Sequence, residues 1–172
     1  MIISLTGFMG VGKSTIADKL SSHLYCKYLD LDRYIETLEG KRVEELFHEL
    51  GEQSFRDIEE RALERFISQN REKLIVLSLG GGALISQKNC ELIKRETKCI
   101  YLRADIETLT RRLIKSRKSR PLVSSDSESS LKERITELFK KREEGYLRSS
   151  SIIIDVDNLT IKETIDRILF NI

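Results

Sequence analysis

Three glycines spaced through Gly7-Phe8-Met9-Gly10-Val11-Gly12, followed at once by Lys13-Ser14-Thr15, constrain this chain more than any other stretch of it. An apolar run, Ile2-Ile3-Ser4-Leu5-Thr6, precedes them and a helical pattern, Ile16-Ala17-Asp18-Lys19-Leu20, follows. Strand, glycine-rich loop and helix in that order form a P-loop. The glycines let the backbone curl so that several N–H groups point at one spot, and the helix adds its positive N-terminal end there. Such a spot suits a polyphosphate, with Gly10, Val11, Gly12, Lys13, Ser14 and Thr15 as the nucleotide-binding residues. Lys13 can follow the β- and γ-phosphates as a mobile charge, and the Ser14 hydroxyl is a hard oxygen ligand for Mg²⁺. A glycine-rich turn without a ligand is the plainer reading, and the flanking strand and helix argue against it.

At 172 residues the chain has room for one domain with a mobile appendage. A formal net charge of +2 makes no global demand for nucleic acid or an acidic membrane. The cysteines, Cys26, Cys90 and Cys99, sit in apolar contexts without metal-type spacing and read as reduced core residues. The first residues read as strand rather than basic leader, and no apolar run reaches membrane-spanning length. A cytoplasmic protein is expected, and a monomer, because no long apolar helix face asks for a partner.

Short apolar runs alternate with longer helical patterns, the signature of a parallel sheet covered by helices on both faces. Strands are predicted near Ile2–Leu5, Tyr28–Leu31, Leu74–Ser78, Lys98–Leu102 and Ser151–Asp155. The clearest helices are Lys13–Tyr25, Val43–Leu50, Glu52–Gln69, Ser86–Arg95, Ile106–Ser116, Leu131–Leu147 and Thr160–Leu169. The serine-rich stretch from Ser116 to Ser130 holds the only proline, Pro121, and reads as an exposed candidate lid.

In open parallel sheets ligands sit beyond the carboxyl ends of the strands. At the end of the second predicted strand stands Asp30-Leu31-Asp32, whose strand alternation sends both carboxylates to one side and Leu31 into the core. A Mg²⁺ ion on ATP would relieve their repulsion, leaving one carboxylate for the metal shell and one for an incoming hydroxyl. Asp32 as N-cap of a helix at Arg33–Glu36 is the competing reading. After the third strand, Gly80-Gly81-Gly82 exposes backbone N–H groups to which a small polar ligand can come close. That strand ends on Ser78 rather than the aspartate common in P-loop enzymes, so Asp30 becomes the candidate metal carboxylate. Arg56 has Glu59 one turn later on the same face, and Arg142 has Tyr146 as its i+4 neighbour. Arg120 lies in the candidate lid, where a guanidinium can neutralise charge on a transferring phosphoryl group. His23 and His48 fall inside helical patterns and read as packing or surface residues.

These pieces, taken in order, resemble one family. The P-loop, Asp30-Leu31-Asp32, Phe55-Arg56-Asp57-Ile58-Glu59, Ser78-Leu79-Gly80-Gly81-Gly82, Arg120-Pro121-Leu122 and Lys141-Arg142 with Tyr146 are similar to shikimate kinase over essentially the whole chain. The resemblance implies an α/β fold: a three-layer α/β/α domain over residues 1–172 with a five-stranded parallel sheet of order 2-3-1-4-5. It further implies a helical substrate-binding segment at about 33–60 and a mobile lid at about 112–130. It implies Mg²⁺-dependent transfer of the ATP γ-phosphoryl group to the 3-hydroxyl of shikimate, on the route to chorismate. Lys13, Asp32 and Arg120 would be catalytic, Arg120 also touching nucleotide; Ser14 and Asp30 would lie near the metal. Asp32, Arg56, Gly81 and Arg142 would bind shikimate. The family holds adenine between a lid-side arginine and a loop after the last strand. This chain lacks the expected arginine or proline around Asp155–Leu159, near Asn158, and offers both Arg112 and Arg117 on the lid side.

Rival readings are a gluconokinase-like enzyme, which would not need the arginine pair, and a nucleoside monophosphate kinase, which would need a base-reading pocket. A catalytically silent nucleotide-responsive binding protein is a third. RNA binding by the basic lid is disfavoured because no aromatics interleave its charges.

Overall fold

β1 (Ile2–Thr6) and β3 (Ile75–Ser78) are buried at every residue, as strands covered on both faces must be. The computed structural model describes residues 1–118 and 128–172, without the side chains of 117, 118, 128 and 129. Five parallel strands pair in the order β2-β3-β1-β4-β5, where β2 is Lys27–Asp30, β4 is Thr97–Arg103 and β5 is Ile152–Asp155. That is the order the resemblance implies. In register, Leu5 and Asp30 both pair with Ser78, so β1, β2 and β3 end at one level and open onto one edge.

Helix α1 (Lys13–His23) packs on β2 and β3 and against α7 (Ile161–Asn171). Helices α4 (Gln87–Glu96) and α6 (Glu128–Ser149) pack on each other and on β4, and α5 (Ile106–Lys118) lies along α6. The core runs from Ile3, Leu5 and Leu20 through Val76, Leu77 and Ile100 to Ile168. Local chemistry marks the boundaries. Thr160 and Glu163 make a reciprocal capping box at the start of α7, and the Ser86 hydroxyl accepts from the Asn89 N–H to cap α4. Predicted α1 runs too long: it stops at His23, and Tyr25 turns left-handed with φ 49°.

Two expectations are corrected near the second strand. β2 ends at Asp30, and Leu31 and Asp32 already belong to α2 (Leu31–Glu39), so strand alternation does not govern the Asp30-Leu31-Asp32 triplet. Leu31 is nonetheless buried, because the first turn of α2 directs it inward. The cap is Asp30, whose carboxylate accepts from the Asp32 and Arg33 N–H groups; Asp32 is not the cap. The two helices expected between 43 and 69 form α3 (Val43–Asn70), interrupted where expected: Gly51 has φ 79° and ψ 170°, which no helix contains. Together α2 and the first part of α3 occupy the segment at 33–60. Residues 112–118 lie on α5 and 128–130 on α6, while the centre of the expected lid, including Arg120, lies outside the described residues.

Candidate functional site

The loop from Gly7 to Gly12 curls through three positive-φ glycines, Gly7 (140°), Gly10 (81°) and Gly12 (105°), conformations that side-chain-bearing residues resist. At Gly7 a Cβ would also stand 2.5 Å from the Leu102 carbonyl oxygen. Gly12 leads into α1, so Lys13, Ser14 and Thr15 form the first helical turn with unsatisfied N–H groups facing outward. Lys13 folds back over the loop and its Nζ donates to the carbonyls of Gly7, 2.8 Å, and Phe8, 3.1 Å. Burial lowers its pKa to about 8, against the opposing pull of Asp32 and Asp30.

Asp30 is the hub of the next layer. One carboxylate oxygen accepts from the Ser14 hydroxyl at 3.2 Å and from the Tyr28 hydroxyl at 3.4 Å, and the other accepts from the Asp32 N–H at 3.1 Å. Ser14 and Asp30, the expected metal-side pair, are therefore in contact. A hydroxyl beside one carboxylate suits Mg²⁺, which keeps waters and phosphate oxygens in most of its positions. Among the described residues no cluster of three or more His, Cys, Asp or Glu could hold a metal by itself.

The Gly80-Gly81-Gly82 turn beyond β3 gathers the rest. A Cβ on Gly80 would lie 2.7 Å from Asp32 Oδ1; one on Gly81 would lie 3.6 Å from an Arg142 terminal nitrogen; one on Gly82 would lie 2.7 Å from an Arg56 terminal nitrogen. Gly80 and Gly82 thus leave room for Asp32 and Arg56, while Arg142 packs at ordinary contact distance from Gly81. Asp32 is held above the usual carboxylate range, first by burial and then by the Asp30 charge, while Lys13 and Arg56 pull it down.

Arg56 is 12 % exposed and donates to Glu59 at 2.7 Å, a carboxylate 2 % exposed. Its guanidinium also lies 5.5 Å from the ring centres of both Phe47 and Phe55. Arg142 stands 5.8 Å from the Phe8 ring. The Nε of each arginine is buried without a hydrogen-bond partner among the described residues. Two partly buried guanidinium groups with donors to spare, facing one turn, form a receptor for a carboxylate. Tyr146 does not simply pack against Arg142: it is fully buried, and its hydroxyl donates to the Gly81 carbonyl.

A cavity of about 280 Å³ opens beside the phosphate loop, walled by Gly10, Gly12, Thr15, Arg112, Val156 and Leu159 among others. Arg112 donates to the Val11 carbonyl at 2.9 Å, which brings it to this cavity, whereas the side chain of Arg117 is not among those described. Asn158 is not part of the wall; its neighbour Leu159 is. The loop at Asp155–Leu159 is the one the resemblance places beside adenine; in place of the expected arginine or proline, its apolar Val156 and Leu159 line the cavity. Sequence reasoning missed Gly145, where a Cβ would stand 2.0 Å from the Leu84 carbonyl oxygen. His48 is exposed, and so is His23, whose ring bonds the Lys19 carbonyl; neither approaches the site.

The family model "Shikimate kinase" matches residues 9–172. A shikimate kinase of Chlorobaculum parvum is 39% identical over 170 residues, covering 96% of this chain and 88% of that protein. One from Chlorobaculum tepidum is 41% identical over 157 residues, covering 88% of this chain and 80% of that protein. Among solved structures, the shikimate kinase of Bacteroides thetaiotaomicron superposes with a TM-score of 0.88 at 31% identity, covering 100% of this chain and 99% of that one. The shikimate kinase of Acinetobacter baumannii in complex with shikimate superposes with a TM-score of 0.83 at 29% identity, covering 98% of this chain and 90% of that one. Sheet order, phosphate loop and near-complete overlap with these proteins agree that the chain belongs to the shikimate kinase family of ATP-dependent P-loop kinases.

Proposed function

We propose that this protein transfers the γ-phosphoryl group of ATP to the 3-hydroxyl of shikimate, giving shikimate 3-phosphate and ADP. The observation that carries the reading is the triglycine turn, which brings Asp32, Arg142 and Arg56 together next to the phosphate loop. The arginine pair takes the substrate carboxylate and the Gly81 N–H adds a backbone donor, which orients the ring. Asp32 then receives the proton of the attacking hydroxyl as the new O–P bond forms and the bond to the β,γ-bridging oxygen breaks. Its raised pKa makes it a better base than an exposed aspartate. Lys13, released from the Gly7 and Phe8 carbonyls, follows the charge on the β- and γ-phosphates. Little else is required, because a loose phosphoryl-transfer transition state asks for alignment and charge stabilisation.

Mg²⁺ would neutralise phosphate charge when bound with ATP, and Ser14 and Asp30 are the residues that would hold it. The cavity walled by Arg112, Val156 and Leu159 receives the adenine end of the nucleotide. The protein works as a monomer in the cytoplasm on two small molecules, without nucleic acid. Among the described residues no helix is long and apolar enough to cross a membrane.

A coupled ADP-release assay with Mg²⁺-ATP tests the reading, comparing shikimate, gluconate and nucleoside monophosphates with a blank lacking acceptor. Turnover with shikimate alone is expected, and Asp32→Asn lowers it by about 10²- to 10⁴-fold while leaving ADP binding intact. Turnover with gluconate instead would discard the carboxylate pocket, and near-normal turnover of Asp32→Asn would remove Asp32 from proton transfer.

A further inference from the structure

The carbonyls of the triglycine turn are all held by the protein, and two of them are held by the backbone. The Ala83 N–H donates to Gly80 at 3.1 Å and the Ile85 N–H donates to Gly82 at 3.1 Å, the ladder of a short 3₁₀ turn over Ala83–Ile85. The middle carbonyl, Gly81, is held from outside the turn by the hydroxyl of Tyr146, which lies in the last turn of α6 and is fully buried. Because a trans peptide points its C=O and the next N–H in opposite directions, anchoring the Gly81 carbonyl fixes where the Gly82 N–H points. Neither the Gly81 nor the Gly82 N–H has a hydrogen-bond partner among the described residues. Gly82 itself lies against Arg56, whose guanidinium nitrogens stand 2.7 and 3.0 Å from the place a Gly82 Cβ would take.

We infer that Tyr146 is a positioning residue: by holding the Gly81 carbonyl it aims the Gly82 N–H, as a second backbone donor beside that of Gly81, at an oxygen of the carboxylate-bearing substrate. This rests on the proposed shikimate reading. The hydroxyl meets the Gly81 carbonyl and also lies beside the Arg142 side chain. Its ring lies 5.2 Å from that of Tyr101, which fixes its plane, and the close approach of Gly145 to the Leu84 carbonyl fixes its height against the turn. Burial drives its pKa far above the usual range for a phenol, so the proton stays on the hydroxyl as a donor at any working pH. A phenylalanine in its place would keep the ring packing and free the Gly81 peptide to rotate.

The test is Tyr146→Phe in the full chain, with KM for shikimate, KM for ATP, kcat and melting midpoint measured beside the unsubstituted protein. A rise of about five- to tenfold in the shikimate KM, the usual scale for one hydrogen bond, is expected with the ATP KM unchanged. A shikimate KM within twofold of the original would overturn the inference. So would equal rises in both KM values together with a lowered midpoint, since that pattern marks a merely structural hydroxyl. Failure of the unsubstituted protein to phosphorylate shikimate is a separate outcome that removes the underlying reading and this inference with it.

Discussion

Arg56 is bound at 2.7 Å to Glu59, a carboxylate 2 % exposed that has exchanged water for a single guanidinium. The pair lies one helical turn apart on α3, so the backbone itself sets its geometry. Burial raises the pKa of Glu59 and the Arg56 charge lowers it, which leaves the carboxylate dependent on its partner. Glu59→Ala leaves the guanidinium with only the exposed Glu52, at 3.4 Å, and is expected to cost about 3 kcal/mol of stability, the lower end of the usual cost of breaking a buried pair. Glu59→Gln keeps the volume and one acceptor, and its effect should fall mainly on the shikimate KM. Thermal melts and steady-state kinetics on both variants check this.

Gly80→Ala and Gly145→Ala should fail in opposite ways. At Gly80 the new methyl meets the end of the Asp32 side chain at 2.7 Å, and that side chain can swing aside. The protein is expected to fold while kcat falls about 100-fold, because the displaced carboxylate loses its alignment. At Gly145 the methyl meets backbone, the Leu84 carbonyl oxygen at 2.0 Å, and neither helix nor turn can yield cheaply. A loss on the order of 3 kcal/mol is expected, a drop in melting midpoint of roughly 6–12 °C for a chain of this size. Circular-dichroism melts set against kinetics separate the two.

Lys13 gives the protein an alkaline limit. With its pKa lowered to about 8, it loses its charge above that pH in the free enzyme, and kcat/KM for ATP should decline there. In Lys13→Met the decline should vanish along with most of the activity. Stability moves the other way. Between about 8 and the ordinary lysine value of 10.5 the unfolded chain holds a proton that the folded one does not, so the Lys13 contribution to stability rises with pH. Melts across pH 7.5 to 10.5 should therefore show the unsubstituted protein gaining stability relative to Lys13→Met as the pH rises.

Arg112→Ala removes both a wall of the 280 Å³ cavity and the clamp on the Val11 carbonyl. The ATP KM is expected to rise by roughly tenfold, about the loss of one charge-assisted hydrogen bond, with the shikimate KM unmoved. Calorimetric titration with ADP measures the same effect without turnover.

The phosphate loop and its strand were legible because glycine spacing and a fully buried parallel strand leave few alternatives, and the Arg56–Glu59 pair was legible because i+3 contacts follow from helix geometry alone. The second strand was misread at its end. Asp-Leu-Asp satisfies a strand edge and a helix cap equally, and the choice was made by Asp30 bonding the Asp32 N–H. Gly145 was illegible for a different reason. Its need for glycine arises from Leu84, a residue 61 positions away by subtraction of their numbers, and no local pattern encodes that approach. The loop at Asp155–Leu159 was legible by resemblance, but not that Val156 and Leu159 are its lining residues, since a loop residue that walls a cavity looks like one that fills a core.

Gly51 is exposed, and no atom lies within 4 Å of where its Cβ would be, so by contact alone any residue should be welcome there. Its φ of 79° with ψ of 170° nevertheless belongs to a region of backbone space that only glycine occupies without strain. The bend there folds Phe47 back onto Phe55, ring centres 4.2 Å apart, and those two rings flank the Arg56 guanidinium. A solvent-facing position with empty space around it is thus mutationally closed, and the constraint reaches it through chain direction rather than through any neighbour.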